Sequence, residues 1–459
     1  MPLHICDAPN CQQPAVRRQG SCVLCKRHLC VRHLKKDFHT CPDLDTDEAA
    51  FIAADHRATE DELSNLFSRI NLYALRVKAT FLRDGIPCTI PPLSTTAQGH
   101  GPLPMGGQNY HIVITFDDGV EWICRVRREN ASSPPSTIQD HLLLSEAATY
   151  RFLVTANVPA PKVYYVATAS PSNPVGVGYL LMERLKGSPM DWYDLQPDAK
   201  KKILDQFADI FIKLKRHRLP SIGSLAINGD SYNVGPLTSE TTMDIDSGVL
   251  HTLGPFTSPL EYRTATLKHE IELILRGESY PDNAVDAYLV HRYVLDNVQA
   301  VARREQGSDT LFYLKHTDDK GDQILVDESH NIVGIVDWER SQVASFAEAF
   351  AAPLFLLDVG AYYDGLNELS EDEALFASIL EAKGHQDLAL AVRGGRFEHR
   401  LMSCVTTDLG DPEFFGTLFM GLCKSLRRAK GEATWEAWKE EALQRHKKDP
   451  ELQQLLSRQ

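Results

Sequence analysis

The sequence predicts an α+β protein made of two unlike parts, a small cysteine-rich unit at the N-terminus and a large body of mixed strands and helices. Two observations carry this reading. Six of the ten cysteines fall within the first 41 of 459 residues, where even spreading would put about one. Beyond residue 108, alternating stretches of strand character are followed by stretches with helical spacing.

Hydrophobic residues make up 43% of the chain and charged residues 24%, an ordinary globular composition with room for a large core. No apolar run is long enough to span a bilayer. The opening MPLHICDAPNCQQ lacks the apolar region and cleavage site of a secretory leader, so a cytoplasmic, and also nuclear, location is expected. The net charge is −14, yet residues 1–41 carry seven Lys or Arg against two Asp or Glu, leaving −19 on the remainder. An acidic body disfavours nucleic acid and anionic membrane as partners and tolerates a cationic substrate.

In the N-terminal unit the metal-ligand candidates run Cys6, Cys11, Cys22, Cys25, Cys30, His33, His39 and Cys41, with gaps of four, ten, two, four, two, five and one residues. Zinc takes four sulfur or nitrogen ligands, so eight make two closed, structural sites. A segment this poor in apolar residues would draw most of its folding free energy from the metal. A cluster of reactive or disulfide-paired cysteines is the alternative. His4 and His28 fall outside the spacing and are expected at the surface. At every ligand position the arrangement resembles the AN-one-type zinc finger of the stress-associated proteins. That resemblance implies cross-braced sites, with Cys6, Cys11, Cys30 and His33 on one zinc and Cys22, Cys25, His39 and Cys41 on the other. It also implies a protein-binding module, hence a protein partner.

The expected boundaries are 1–42 for this finger, 43–60 for an acidic linker, 61–187 and 188–435 for two lobes of the body, and 436–459 for a charged, solvated helical tail. Leu63, Leu66, Phe67, Ile70, Tyr73, Ala74, Val77 and Phe81 recur at helical spacing from Asp61, and Asp84-Gly85 ends the helix. Residues 87–107 form a loop rich in Gly and Pro. Two alternating stretches, 109–116 and 120–127, flank Asp117-Asp118-Gly119, a hairpin signal. In the second, Val120, Trp122, Cys124 and Val126 share one face, and Ile123, Arg125 and Arg127 the other. A helix over 138–154 carries Glu146, and strands follow at Val163 and at 178–185. Far downstream stands LKHTDDKGDQILVDESHNIVGIVDWE, residues 314–339.

These parts, in this order, resemble the aminoglycoside phosphotransferase family, which shares its fold with choline kinases and protein kinases. The resemblance covers roughly residues 60 to 435. It implies a bilobal, protein-kinase-like body with ATP and magnesium between the lobes, transferring phosphate to a hydroxyl of a small-molecule substrate. Residue by residue, it implies that Gly106 and Gly107 approach the phosphates and that Arg125, fixed by Glu146, holds phosphate oxygens, with Arg127 as the fallback. Backbone around Glu183 would meet adenine. Asp318 would accept the hydroxyl proton, and Asp337 would bind magnesium. The family loop His-Gly-Asp-Leu-His-Pro-Gly-Asn reads here His316-Thr-Asp-Asp-Lys-Gly-Asp-Gln323. Gln323 thus stands where the family has the second metal-binding Asn and is expected, with Asp337, on magnesium; Asp322 is the alternative donor, and Lys320 replaces a His. A binding module without turnover, recruited by the finger, is the competing expectation. Trp338 is expected in the core, Asp327 and Glu328 in a hairpin turn, and His316 in loop orientation.

Overall fold

The structure, a computed structural model, describes residues 2–94, 106–229, 231–305, 311–406, 412–427 and 434–458. The N-terminal unit is irregular apart from the short antiparallel strands β1 (Ser21–Cys22) and β2 (Arg27–His28). His4 and His28, expected at the surface, stack on one another with ring centroids 3.8 Å apart and are half-buried.

Helix α1 (Glu48–Arg69) starts thirteen residues before the expected Asp61, capped by the Asp47 side chain. Most of the supposed linker 43–60 is therefore helical. The chain breaks at Ile70, and Asn71 caps a second helix, α2 (Leu72–Leu82). That break rotates the second half of the apolar stripe away from the core. Leu63 and Leu66 are buried, whereas Tyr73, Val77 and Phe81 are exposed.

Five antiparallel strands form the first lobe: β3 (Cys88–Thr89), β4 (Asn109–Phe116), β5 (Glu121–Arg127), β6 (Val163–Ala167) and β7 (Tyr179–Glu183), in the order β3-β4-β5-β7-β6. The helix α3 (Ser136–Thr155) lies between β5 and β6 in the chain. The period-two pattern divides the sheet as expected. Trp122, Cys124 and Val126 pack toward α1 and α2, while Leu180, Met182 and Ile123 face the core that α3 shares with the second lobe. Arg125 shares the Ile123 face and so meets Glu146 of α3.

The second lobe begins with β8 (Ser188–Pro189) and α4 (Pro197–Arg216). Two hairpins follow, β9 (Ser224–Asn228) with β10 (Ser231–Gly235) and β11 (Met243–Asp246) with β12 (Val249–Thr252). Helices α5 (Pro259–Arg276), α6 (Ala284–Asp296) and α7 (Val298–Glu305) come next. Then four short strands nest: β13 (Tyr313–Lys315) pairs with β16 (Gln342–Ala344), enclosing the pair β14 (Ile324–Val326) and β15 (Ile332–Ile335). Asp327 closes the inner pair by accepting from Ser329 and Asn331, as the hairpin reading expected. Helices α8 (Phe346–Ala349), α9 (Val359–Tyr363), α10 (Glu371–Ala382), α11 (Gln386–Thr406), α12 (Pro412–Arg427), α13 (Trp435–Arg445) and α14 (Pro450–Leu456) complete the lobe. The tail is not a solvated helix. Trp438, Leu452 and Leu455 are buried against α5, α6 and α12, because α13 and α14 each carry an apolar face among their charges. Among the described residues no helix is long and apolar enough to cross a membrane.

The N-terminal unit is docked on the body, not tethered beside it. Arg17 reaches Glu278 Oε2 at 2.9 Å, the carbonyls of Glu240 and Met243 at 2.8 and 2.9 Å, and the Asp244 carboxylate. Its own N–H donates to the Glu278 carbonyl. Glu278 is fully buried, so Arg17 supplies charge compensation that water cannot. Removing one partner of a buried pair typically costs 3–5 kcal/mol. Arg17→Ala is expected to lower the stability of the whole chain by about 3 kcal/mol in urea unfolding. The same change at Arg18, whose side chain is 55% exposed, is expected to cost less than about 1 kcal/mol.

Candidate functional site

The nested strands explain how residues far apart in sequence form one cleft. Pairing β13 with β16 lays the loop after Lys315 alongside the turn before Gln342. Three further bonds lock the two segments. His316 Nε2 donates to the Val336 carbonyl at 3.0 Å, Val336 N–H donates to the Gln323 carbonyl at 2.9 Å, and the Thr317 hydroxyl donates to the Arg340 carbonyl at 3.3 Å. His316 Nδ1 also receives the Asp318 N–H at 3.2 Å. Both ring nitrogens are thus spent on the backbone, the loop-orienting role expected of His316. Gly321 has φ +107°, and a Cβ there would lie 3.1 Å from Met190 and Phe355, so the loop requires glycine. Asp319, raised by burial against the pull of Lys315 and His316, ties the loop to the Leu354 N–H at 3.2 Å.

Arg125 joins the lobes. Its side chain is 9% exposed and bonds Glu146 of α3 on one side. On the other it donates to Asp337 Oδ1 at 3.0 Å and Glu339 Oε2 at 2.9 Å, both from the second lobe. Arg127 donates to Glu339 Oε1 and to Gln108 Oε1 at 3.0 Å, and Asn109 adds a bond to Glu339 at 3.3 Å. Burial pushes the Glu146 carboxyl up to about 8, the pull of Arg125 being offset by the carboxylates of Glu339 and Asp337. Glu339, though buried, is held down at about 2 by Arg125, Arg127 and Arg340. Three carboxyl groups thus share Arg125, and Arg127 and Arg340 complete the charge balance around Glu339. Asp337 projects into solvent from a left-handed turn, φ +59°.

The loop acids lie close by. Asp318 is half-exposed and pairs with Lys320 Nζ at 3.1 Å. The Lys320 ammonium is held above its usual range by that bond, with Asp322 and Asp337 contributing. Gln323 is buried, and its Oε1 has no hydrogen-bond partner among the described residues. It lines a cavity of about 40 Å³ with Asp318, Lys315 and Trp338. Asp322, by contrast, is exposed. Trp338 is 1% exposed and bonded to the Ile335 carbonyl, a core residue as expected.

Two expected elements are placed less tellingly. Gly106 and Gly107 stand at the foot of β4, where Gly106 N–H closes a turn onto the Asn109 carbonyl and a Cβ on Gly107 would touch nothing. The rest of that loop, 95–105, lies outside the described residues. Glu183 ends β7, and its N–H is already used by the Lys162 carbonyl at 2.9 Å. Sequence reasoning assigned no role to Glu339, Asn109 or Arg340. The signal for Glu339 was its place two residues after Asp337 in Asp-Trp-Glu, which puts it beside the same guanidinium.

In the N-terminal unit the eight ligand candidates gather as two sets of four, Cys6, Cys11, Cys30 and His33, and Cys22, Cys25, His39 and Cys41. Within the sets, Cys6 Sγ lies 3.3 Å from His33 Nδ1, Cys11 Sγ 3.9 Å from Cys30 Sγ, and Cys25 Sγ 3.7 Å from His39 Nε2. Those separations fall within about 0.2 Å of the edges of a zinc tetrahedron, roughly 3.5 to 3.8 Å for the usual Zn–N and Zn–S bonds. All ten cysteines are free of disulfides.

Residues 102–358 match the phosphotransferase enzyme family. The chain belongs to that family. The matched span is narrower than the expected 60–435 and leaves the cysteine-rich unit outside it. A subtelomeric hrmA-associated cluster protein of Aspergillus fumigatus, in two strains, is 34% identical over 126 residues, 27% of this chain. The alignment spans only 24% of that relative's length. Among solved structures, the chain is similar to an ethanolamine kinase of Plasmodium vivax, with 14% identity, TM-score 0.42, and 76% of this chain and 85% of that one covered. It is also similar to an aminoglycoside phosphotransferase in complex with ADP and hygromycin B, with 13% identity, TM-score 0.39, and 78% and 100% covered.

The charge arrangement of this phosphotransferase-family cleft has a pH signature. A carboxyl held low in the folded state stabilises it above the ordinary carboxylate range, and that contribution is lost as pH falls through the folded value. For Glu339 the loss runs from about pH 4.5 down to about 2. Glu339→Gln is expected to remove this acid-dependent share, roughly 3 kcal/mol. The stability gap between wild type and variant, measured by urea unfolding at pH 7 and pH 3, is expected to shrink at the lower pH.

Proposed function

We propose that the body is an ATP-dependent phosphotransferase acting on a hydroxyl of a small molecule, and that the N-terminal unit is a finger held by two structural zinc ions. The observation that carries the first reading is the sharing of Arg125 by Glu146, Asp337 and Glu339. Phosphoryl transfer needs fixed cations aimed at phosphate oxygens and carboxylates that can take a metal. This cluster provides both, with Arg125 and Arg127 as the fixed cations and Asp337 as an accessible carboxylate. Asp337 and the unpartnered Gln323 oxygen would hold magnesium, hard oxygen donors suiting that ion. Asp322 is the less suitable donor because it faces solvent. Bound in this cleft, Mg·ATP supplies the transferable γ-phosphoryl and the neutralisation of its charge.

The chain's own residues then have separable tasks. Arg125, held against Glu146, and Arg127 would bind phosphate oxygens once these displace Asp337 and Glu339. Lys320 would be drawn off Asp318 by the same phosphates. Asp318, so freed, would accept the proton of the attacking hydroxyl, held in place by the His316 bonds. Gly106 and Gly107 would close over the phosphates, and backbone near Glu183 would meet the base.

A second reading, nucleotide binding without transfer, is favoured by the Lys320 ammonium lodged on Asp318 and by Gln323 in place of Asn. The donor chemistry of three Cys and one His in each set supports zinc in the finger. A protein partner of the finger would meet a face other than that of Arg17, which the body covers.

Calorimetric titration with Mg·ATP, followed by ADP release across amino alcohols and sugars, tests the proposal. Asp318→Asn is expected to keep ATP affinity within about threefold and to lower turnover by a factor of about 100 or more. Binding with no turnover on any acceptor supports the second reading, and no binding with magnesium present refutes both. Separately, purified protein is expected to hold two equivalents of zinc by elemental analysis, and Cys22→Ser one.

A further inference from the structure

A line of alternating charges runs from the finger to the phosphate-binding arginines. Arg18 Nε lies 2.7 Å from Glu240 Oε1. The preceding residue, Arg17, donates to the Glu240 backbone carbonyl at 2.8 Å. Two consecutive finger residues therefore hold Glu240 at both of its ends. The Glu240 side chain is 8% exposed, and the same Oε1 receives Arg340 Nη2 at 3.4 Å. Arg340 in turn lies 3.8 Å from Glu339 Oε1. Glu339 is the carboxylate that takes both Arg125 and Arg127.

The backbone follows the same path. Arg340 is in the left-handed region, φ +63°, as is Asp337 three residues earlier. The turn bearing Asp337 and Glu339 is thus held by the Thr317 hydroxyl on one side and by Glu240, itself fixed by the finger, on the other. Docking alone does not require Arg18. Arg17 already makes the buried contacts, whereas the Arg18 side chain is 55% exposed.

We propose that the finger is a positioning element of the phosphate site: Arg18, through Glu240 and Arg340, sets how tightly Glu339 holds Arg125 and Arg127, and with it the affinity of the cleft for a nucleotide polyphosphate. With Arg18 in place, Glu240 divides its charge between two cations, and Arg340 stays shared with Glu339. Without Arg18, Glu240 draws Arg340 to itself. Glu339 then falls back on Arg125 and Arg127, which become less available to phosphate oxygens. Arg18 and Glu240 are positioning residues, since neither touches the cleft. The affinity arm of this inference rests on reading the cleft as a Mg·ATP site; the positioning of the turn does not.

The test uses the full-length protein, supplied with zinc, as wild type, Arg18→Ala, Arg18→Lys, Glu240→Gln and the Arg18→Ala/Glu240→Gln double variant. Two readouts are taken: calorimetric titration with Mg·ATP, and hydrogen exchange of residues 336–343 without nucleotide. Arg18→Ala is expected to bind Mg·ATP about threefold to tenfold more weakly and to exchange faster over 336–343, with an unchanged melting temperature. Arg18→Lys should restore both. In the Glu240→Gln background, Arg18→Ala should have no further effect on either. Wild-type behaviour of Arg18→Ala in both readouts overturns the proposal, as does an equal loss with and without Glu240. If wild type binds no Mg·ATP, the reading of the cleft fails and hydrogen exchange alone decides. Unchanged exchange in Arg18→Ala then overturns the inference, and faster exchange that Glu240→Gln abolishes sustains it.

Discussion

One buried guanidinium, that of Arg125, is the constraint around which the two lobes are arranged. Carried by the first-lobe sheet, it is met by Glu146 from α3 and by Asp337 and Glu339 from the second lobe. A charge this buried is tolerated only when fully paired. The sheet must therefore present alternate residues to α3, α3 must set Glu146 opposite β5, and the second lobe must deliver its turn to the same point. Each requirement is a fold-level demand made by one side chain.

The second lobe meets its part by nesting one strand pair inside another. That topology converts two distant stretches, 316–323 and 336–342, into neighbours held by main-chain bonds. Fixed backbone with exchangeable side-chain charges suits phosphoryl transfer, where placement matters more than covalent participation by the protein. Asp318 and Asp337 are both accessible, while the residues that aim them, His316 and Trp338, are not free to move.

The docked N-terminal unit alters the picture of two independent parts. A unit with so small a core would ordinarily be joined by a loose linker. Here the connecting segment is a helix that packs on the sheet, and Arg17 is sunk into the body beside Glu278. The contact combines the Arg17 and Arg18 ion pairs with Leu3 packed against Ile138, Leu142 and Met243. Coupling between finger and cleft then needs no large motion, only the redistribution of Arg340 between Glu240 and Glu339.

Much of this was legible in the chain. The ligand spacing marked the cysteine-rich unit, and the hairpin signal at Asp117-Asp118-Gly119 marked the first two long strands. Periodicity placed Arg125 on one strand face and Glu146 on a helix, and the family resemblance implied that they are partners. What was not legible depended on surroundings. The helical stripe from Leu63 to Phe81 looked continuous, yet a break at Ile70 and Asn71 turned Tyr73, Val77 and Phe81 outward. The tail looked solvated because its charges outnumber its apolar residues, yet Trp438, Leu452 and Leu455 found a face to fill. Glu240 and Arg340 carry no motif, and their roles exist only where segments 100 residues apart converge. By itself the sequence determined most element types, the eight Cys and His candidates of the N-terminal unit and the family-like order of the cleft, since these follow from short-range spacing and backbone preference. Only the tertiary structure decided which charges share a partner and how the finger meets the body, because burial and pairing are properties of the assembled fold.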